Sequence, residues 1–438
     1  MTRSAPASSA RRPEGPPAAL LAVLACAMGV GPLLNYGISA AGALLVSHLG
    51  IADAQLGLAA AVVFAAAAVS SRALGRLSDR VSVRAQLVLI FGGTAVALAV
   101  ASFADAFWVL LLAAALAGLA QAVSNPTTNK VITQVVPSAR RAGWVGVKQS
   151  GVQASQLFAG LYFPAVSLWL GWRGAALGAA ALALVLLAFS LQQLPPELRV
   201  PPGPAASPDA GPHPAPAGAE DAPEPAADAA PARGRQAVWL LTAVMFLVGL
   251  GTQATNVYLP LYAVRELGFP LLLGGVAAGL AGVIGVASRI AWGRRMAAGA
   301  TASALLVAIT LGSLLAVACL FTAGEFAAAG LLWAGVALHG ATTLGASVVS
   351  YAAVMALVPH GRMGAATGTV SMGMYAGYAG GPLAMGLLVG ATGTFAAGWI
   401  AVAAAYVVAA GAALLLGRTA RAGNRAASRS SGRAAAGR

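Results

Sequence analysis

Long apolar blocks recur along this chain at a length that matches the thickness of a bilayer. Leu87 to Phe103 and Ala175 to Leu191 are two of them. A helix needs about 20 apolar residues, at 1.5 Å each, to cross ~30 Å of hydrocarbon. Turn signals divide the blocks into spans near 18–47, 54–74, 85–104, 106–130, 142–169 and 173–193, and then near 237–264, 271–292, 302–322, 326–357, 365–390 and 394–416. We number them 1 to 12. Of the 438 residues, 59% are hydrophobic and only 9% are charged, whereas a soluble domain carries about 25% charged residues. The pattern predicts an all-α membrane protein with twelve transmembrane helices. Arg11 and Arg12 precede span 1 in the manner of a signal peptide, but the apolar stretch is too long for an h-region of about 7–15 residues.

The formal charge of +14 is distributed by loop. Arginines fall in every second connection: Arg76, Arg80 and Arg84, then Arg140 and Arg141, then Arg199, Arg233 and Arg235, then Arg294 and Arg295, then Arg362. The tail adds Arg418, Arg421, Arg425, Arg429, Arg433 and Arg438, while the alternate connections hold only Arg173 and Arg265. This is the positive-inside asymmetry of a multi-pass protein with both termini cytoplasmic. It predicts the bacterial inner membrane as location and the lipid bilayer, not nucleic acid, as partner. Residues 194–235 hold half of the 24 prolines and read as a disordered cytoplasmic linker. The expected organisation is a six-helix half over 1–193, the linker over 194–235, a second half over 236–416 and a basic tail over 417–438.

The halves repeat each other. Pro137, Arg140, Gly146 and Gly151 recur at the same offset as Pro359, Arg362, Gly368 and Gly373. Leu49-Gly50 matches Leu267-Gly268, and Ser71-Arg72 with Gly75-Arg76 matches Ser288-Arg289 with Gly293-Arg294. Two pseudo-symmetric six-helix halves are a hallmark of secondary transporters.

Polar stripes mark where water enters. Span 4 carries Gln121, Asn125 and Thr128 at i, i+4, i+7, and span 5 carries Gln149, Gln153 and Gln156 at the same spacing beside Lys148. Span 1 offers Asn35, Tyr36 and Ser39, and span 7 offers Thr252, Gln253, Asn256 and Tyr258. Span 10 has His339, Thr343, Ser347 and Ser350, and span 11 has Ser371, Tyr375 and Tyr378. Spans 3, 6, 9 and 12 are nearly pure Ala, Leu and Val. One stripe is equally well read as interhelical hydrogen bonding, but six with every third span bland predict a central cavity. Gly275, Gly279 and Gly282 in span 8, and Gly364, Gly368, Gly373, Gly377 and Gly381 in span 11, predict close helix crossings.

The spans hold cations but no carboxylate at mid-depth, since Glu266 and Glu325 stand at span ends. A buried charge needs a partner, so Lys148, bordering the polar stripe of span 5, either snorkels or makes an internal hydrogen bond, or else pairs with an anionic solute. Arg72 and Arg289 lie nearer the arginine-rich boundary, where a long stem is expected to snorkel, and Lys130 reads as an interface anchor. His339 falls near the midplane and is the best candidate for proton coupling. The substrate-contact set is Lys148, Gln149, Gln153, Asn35, Gln121, Asn125, Gln253, Asn256, His339 and Tyr375. Cys26 and Cys319 fall within spans and read as packing residues. No metal-ligand spacing, phosphate loop or nucleophile motif is present, so neither a cofactor nor an enzyme is expected.

Gly75-Arg76-Leu77-Ser78-Asp79-Arg80-Val81-Ser82-Val83-Arg84 resembles the loop between spans 2 and 3 of the major facilitator superfamily, Gly-x-Leu-x-Asp-Arg-x-Gly-x-Arg, with Ser82 in place of the second glycine. The resemblance covers essentially the whole chain. It implies alternating access by a monomer and a gating role for Gly75, Asp79, Arg80 and Arg84, with the Asp79 carboxylate latching the cytoplasmic side against the start of span 11. The second copy, from Gly293 to Ala297, lacks the acid. Span 4 lacks the Arg-x-x-Gln-Gly of proton-coupled drug exporters, and span 5 lacks their Gly-Pro signature. A carrier of a small organic anion is therefore the leading expectation and a multidrug/proton antiporter the runner-up. A receptor of the same fold without flux is separated from both by reconstituted uptake.

Overall fold

The computed structural model describes residues 18–198, 229–357 and 363–436, and every regular element among them is helical. The side chains of Arg72, Gly75, Asp79 and Arg80 are among those outside the description, as are Pro359 and Arg362. Span 1 is broken into Ala18–Val30, Leu33–Ala40 and Gly42–Leu49, with a 51° bend at the first break, where Gly31-Pro32 interrupts the helix. Span 2 is Asp53–Arg80, and span 3 runs through Val83–Leu87, a π-turn and Gly93–Ser102. Span 4 is Phe107–Val135. In the second half, span 7 is Ala229–Arg265, span 8 Leu271–Ala297 and span 9 Ala302–Glu325. Span 10 is divided into Ala329–Ala341, Thr343–Gly345 and Ala346–Leu357; span 11 is Met363–Thr392 and span 12 is Ala396–Ala436.

Spans 5 and 6 form one continuous run, Ser138–Gln193, broken only at Gly171 (φ 64°, ψ −179°). A straight rod of that length would reach about 84 Å, far beyond a bilayer. It folds back instead. The Tyr162 hydroxyl donates to the Ala175 carbonyl at 3.2 Å across thirteen residues of sequence. Only glycine enters this backbone region at no steric cost. Among the described residues, nine stretches are long and apolar enough to cross a membrane, or ten with the bent first pair. Trp144–Gln193 folds back at Gly171, and the glycine-rich helix Met363–Thr392 stands beside these stretches.

The internal repeat is visible in the backbone. Positive φ occurs at Gly50 and Gly268, which close spans 1 and 7, and again at Gly171 and Gly393, which close spans 5 and 11. Gly151 packs onto the Ala25 carbonyl of span 1, and its counterpart Gly373 packs onto Thr242 of span 7. Two expected boundaries shift. Helix begins at Ala229, inside the expected linker, and Leu194 and Leu198 at its start are buried. Residues 199–228 lie outside the described residues. The expected basic tail continues the last helix to Ala436.

The outer surface suits lipid. Spans 6, 9 and 12 turn Leu184, Val185, Leu311, Leu315, Val407 and Val408 outward, and exposed Trp108, Trp169 and Phe326 sit near span ends in the manner of an aromatic belt. Inside, the glycine stripes serve two different contacts. That of span 11 faces span 7 in its own half: a Cβ on Gly377 would strike the Phe246 carbonyl and one on Gly381 the Leu250 carbonyl. That of span 8 crosses to the other half, where Gly275 and Gly160 each lie against the other's carbonyl and Gly282 lies against Gln153. Gly275→Leu, which cannot be accommodated without moving span 5, is expected to cost about 1–3 kcal/mol. An unchanged melting temperature of the purified variant would contradict this crossing.

Candidate functional site

Midway along span 10 the α-helix gives way to a single 3-10 turn, Thr343–Gly345, where the Gly345 amide donates to the Thr342 carbonyl at 3.0 Å. Carbonyls freed inside a bilayer need donors, because no water is available in hydrocarbon. One face of span 8 provides them. Ser288 Oγ donates to the Gly340 carbonyl at 2.9 Å, Trp292 Nε1 to that of Ala341 at 2.8 Å and Arg289 Nε to that of Leu344 at 2.9 Å. From span 9, Ser313 Oγ meets Thr343 Oγ1 at 2.7 Å.

This role overturns the snorkelling expected of Arg289. The residue lies eight positions before the end of span 8 at Ala297, roughly 12 Å along the helix, and its guanidinium turns inward. It crosses to the other half, where NH1 donates to Gln153 Oε1 at 2.6 Å and to the Gln149 carbonyl at 3.3 Å. Beside it is a small opening of about 10 Å³, room for about one water molecule, lined by Arg289, Thr252, Thr343, Ser347 and Tyr378, with Met245, Val248 and Leu344 as apolar wall. Tyr36 of span 1 and Tyr378 of span 11 lie within electrostatic reach of the guanidinium.

The other expected residues gather around this seam in two layers. In the first, Gln149 Nε2 donates to Asn125 Oδ1 at 3.3 Å, and Asn125 also meets the Tyr375 hydroxyl of the opposite half. In the second, Asn256 is the node. Its Nδ2 donates to Gln253 Oε1 at 2.8 Å, while its Oδ1 receives Gln156 Nε2 from the other half at 3.4 Å and faces His339 Nε2 at 3.1 Å. With the amide oriented this way, His339 Nε2 carries the proton and Nδ1 is the acceptor. Asn35 and Gln121 are not drawn into either layer: both ends of the Asn35 amide and Gln121 Oε1 have no partner among the described residues.

Lys148 stands apart from the cavity lining. It is 0% exposed, and its Nζ donates to Thr128 Oγ1 at 2.8 Å and Asn129 Oδ1 at 2.6 Å, both on span 4. Lys130 Nζ reaches the Val81 carbonyl at 3.4 Å at the edge of the bundle. Among the described residues the only ion pairs are Arg173–Asp105 and Arg265–Asp53, so neither Lys148 nor Arg289 is neutralised by a carboxylate.

The halves also meet at the arginine-poor end. Arg265 NH2 pairs with Asp53 Oδ1 at 3.1 Å, the buried Tyr258 hydroxyl accepts from the Gly57 amide at 2.9 Å, and Ser39 Oγ donates to the Asn256 carbonyl at 2.7 Å. Sequence reasoning missed Asp53 and Trp292 altogether, although Asp53 and Arg265 were visible as opposite charges in loops otherwise nearly devoid of them. Of the expected gating residues, Arg84 is exposed at the start of span 3. Gly75, Asp79 and Arg80 continue the last turns of span 2, and their side chains lie outside the described residues.

The fold is shared with known transporters. Two crystal structures of a bacterial homologue of the human lysosomal transporter Spinster resemble it, one inward-facing and unoccupied with a TM-score of 0.71 and one inward-facing and occupied with 0.69. Each is 16% identical, and the match covers 92% of this chain and 97% of that one. A mutant of the nucleoside transporter NupG matches at 15% identity and a TM-score of 0.69, over 91% of this chain and 99% of that one. At these identities the likeness shows the fold alone. No curated protein matches in sequence. The family model of the Major Facilitator Superfamily matches residues 20–325. By that match over well more than half its length, the chain belongs to the Major Facilitator Superfamily.

Proposed function

We propose that this transporter is a secondary carrier that moves a small organic anion across the bacterial cytoplasmic membrane by alternating access of its halves. The observation that carries the reading is the pair of inward-turned cations, Lys148 and Arg289, whose partners among the described residues are all neutral. A desolvated charge without a counter-ion costs several kcal/mol, and an anion in transit removes that cost. Cationic drugs fit poorly, because every carboxylate of the spans stands near an end. The unpaired amides of Asn35 and Gln121 supply neutral hydrogen bonds to the solute, each worth about 0.5–1.5 kcal/mol. Lys148, enclosed by Thr128 and Asn129, contributes positive potential to the route. The arginine asymmetry supports cytoplasmic termini, which a reporter fused at Gly423 reads directly.

Uptake into proteoliposomes tests the anion reading. Transport of an anion but not of its neutral amide is expected, and Lys148→Gln should weaken apparent affinity by about tenfold, ~1.4 kcal/mol, while Lys148→Arg retains part of it. Undiminished anion flux in Lys148→Gln removes Lys148 from the route. A purely neutral or cationic substrate range sinks the anion reading and leaves the carrier assignment intact.

Proton coupling belongs to the same proposal, because His339 is the one imidazole of the seam and Asn256 ties it to Gln156 of the opposite half. An inward proton gradient should stimulate uptake, and His339→Ala should abolish the stimulation but leave gradient-free exchange. Stimulation that persists in the variant assigns coupling elsewhere.

The motif resemblance supports Asp79 as the cytoplasmic latch. Asp79→Asn should slow transport about fivefold or more while solute binding is retained, in proportion to a lost charge–dipole contact of ~1 kcal/mol or more. Normal flux at equal protein level removes it from the gate.

A further inference from the structure

We propose that the arginine-bearing extension of span 12 is a docking surface, and that its occupant is the acidic stretch 220–228 of the segment joining the halves. Neither the identity nor the charge of the solute enters here. Span 12 does not end with its apolar stretch. That stretch is Ala396–Thr419, but the helix runs on without interruption to Ala436. Arg418, Arg421, Arg425, Arg429 and Arg433 fall on the extension at steps of three and four residues. At 3.6 residues per turn these positions share one face, within an arc of about 120°. Residues 419–436 are otherwise only Ala, Gly, Ser, Thr and Asn, with no acid among them.

Like charges at i and i+4 destabilise a helix, and three such pairs follow one another from Arg421 to Arg433. A stripe of this kind calls for an anion. The chain has 12 acidic residues, and the densest group of them is Glu220, Asp221, Glu224 and Asp228. That group comes directly before span 7, which begins at Ala229. Span 7 packs against span 12, and at the arginine-rich end Ala237 and Leu241 of the one share an apolar cluster with Ala413 and Leu416 of the other. The two helices run in opposite directions, one entering the bundle there and one leaving it. Ala229 lies eight residues before Ala237, and Arg425 lies nine after Leu416, about 12 and 13 Å along the respective helices. The packing of the spans therefore brings Asp228, the neighbour of Ala229, level with Arg425, and delivers the acidic stretch to the arginine face.

Anionic lipid is the competing occupant, and the helix geometry disfavours it. Arg433 stands fifteen residues beyond Arg418 on the continuous helix, roughly 22 Å. The potential of an anionic leaflet decays within a Debye length of about 8 Å. The extension also holds no Trp, Phe or Leu of the kind that sinks an amphipathic helix into the headgroup region. The acidic stretch, by contrast, matches the stripe in sign and in place. Docked there, it fastens the end of the connecting segment to the second half and leaves residues 199–219 as the tether between the halves.

Distances between spin labels in the full-length protein test this, with Cys26 and Cys319 replaced and labels at Ala226 and Ala427, which leave every charge in place. In phosphatidylcholine discs at low salt the pair should give one short distance. Salt at about 1 M should lengthen and broaden it, because the screening length falls to ~3 Å. Reversing the stripe with Arg425→Glu, Arg429→Glu and Arg433→Glu should abolish the short distance. Adding Glu220→Arg, Glu224→Arg and Asp228→Arg to that variant should restore it, which a merely structural role for the arginines would not permit. The same short distance is expected in discs that contain phosphatidylglycerol. A long distance at low salt, a short one indifferent to salt and charge reversal, or no recovery in the charge-swapped chain overturns the proposal. Loss of the short distance in phosphatidylglycerol discs assigns the stripe to lipid and overturns it as well.

Discussion

Hydrocarbon offers no hydrogen bonds, so any carbonyl released from a helix within it must be met by a protein donor. The break in span 10 between Thr342 and Gly345 creates that demand at mid-membrane. Ser288, Arg289 and Trp292 meet it from a single face of span 8. Meeting it fixes a guanidinium inside the bundle, which a superfamily member built only for lipid packing would not retain. That placement sets the cross-half bond to Gln153 and the polar lining beside Arg289. A discontinuous helix lining a cavity near the midplane is a recurrent way for membrane proteins to build such sites.

The contacts that hold the halves together are numerous and individually weak. Glycine crossings such as Gly160 on Gly275 rely on close backbone approach rather than interlocked side chains. The amide–amide hydrogen bond from Gln156 to Asn256 is neutral and worth about 0.5–1.5 kcal/mol, while that from the charged Arg289 to Gln153 is worth about 1.5–3 kcal/mol. The Arg265–Asp53 pair is substantially exposed, and exposed pairs contribute ~0–1 kcal/mol. In the second half, Tyr258, Tyr262, Phe395 and Trp399 form an edge-to-face aromatic cluster. A seam of many small contacts suits a rocking movement, because a solute can supply only its differential affinity for the two states.

Much of this was legible in the sequence because the physics behind it is periodic. Apolar length gave the spans, arginine placement gave the expected sidedness, and i, i+4, i+7 stripes identified Asn125, Gln149, Gln153, Asn256 and His339 as residues of the seam. The Pro-Arg-Gly-Gly repeat has a counterpart in the backbone, where Gly151 packs on span 1 and Gly373 on span 7. Arg289 was misread as a snorkelling residue because depth along a helix does not reveal which way a long side chain turns. Its direction is set by the Leu344 carbonyl, and a break in span 10 leaves no periodic trace in a run of Gly, Ala and Thr. For Lys148 the sequence left an internal hydrogen bond and a solute contact open, and only the fold identifies its partners, Thr128 and Asn129 on span 4. Pairing across 217 residues, as between Ser39 and Asn256, is beyond any local pattern.

The central claim is that the seam between the halves is the solute route and opens alternately at its two ends. Distances between paired spin labels in proteoliposomes test it most directly. One pair, Ala52 with Thr392, spans the halves at the arginine-poor end, and the other, Ala85 with Ala298, spans them at the arginine-rich end, in a chain whose two cysteines, Cys26 and Cys319, have been replaced. Solute or a proton gradient should change the two distances in opposite senses, one widening as the other closes. Distances that stay fixed at both ends, or widen together, would contradict the account.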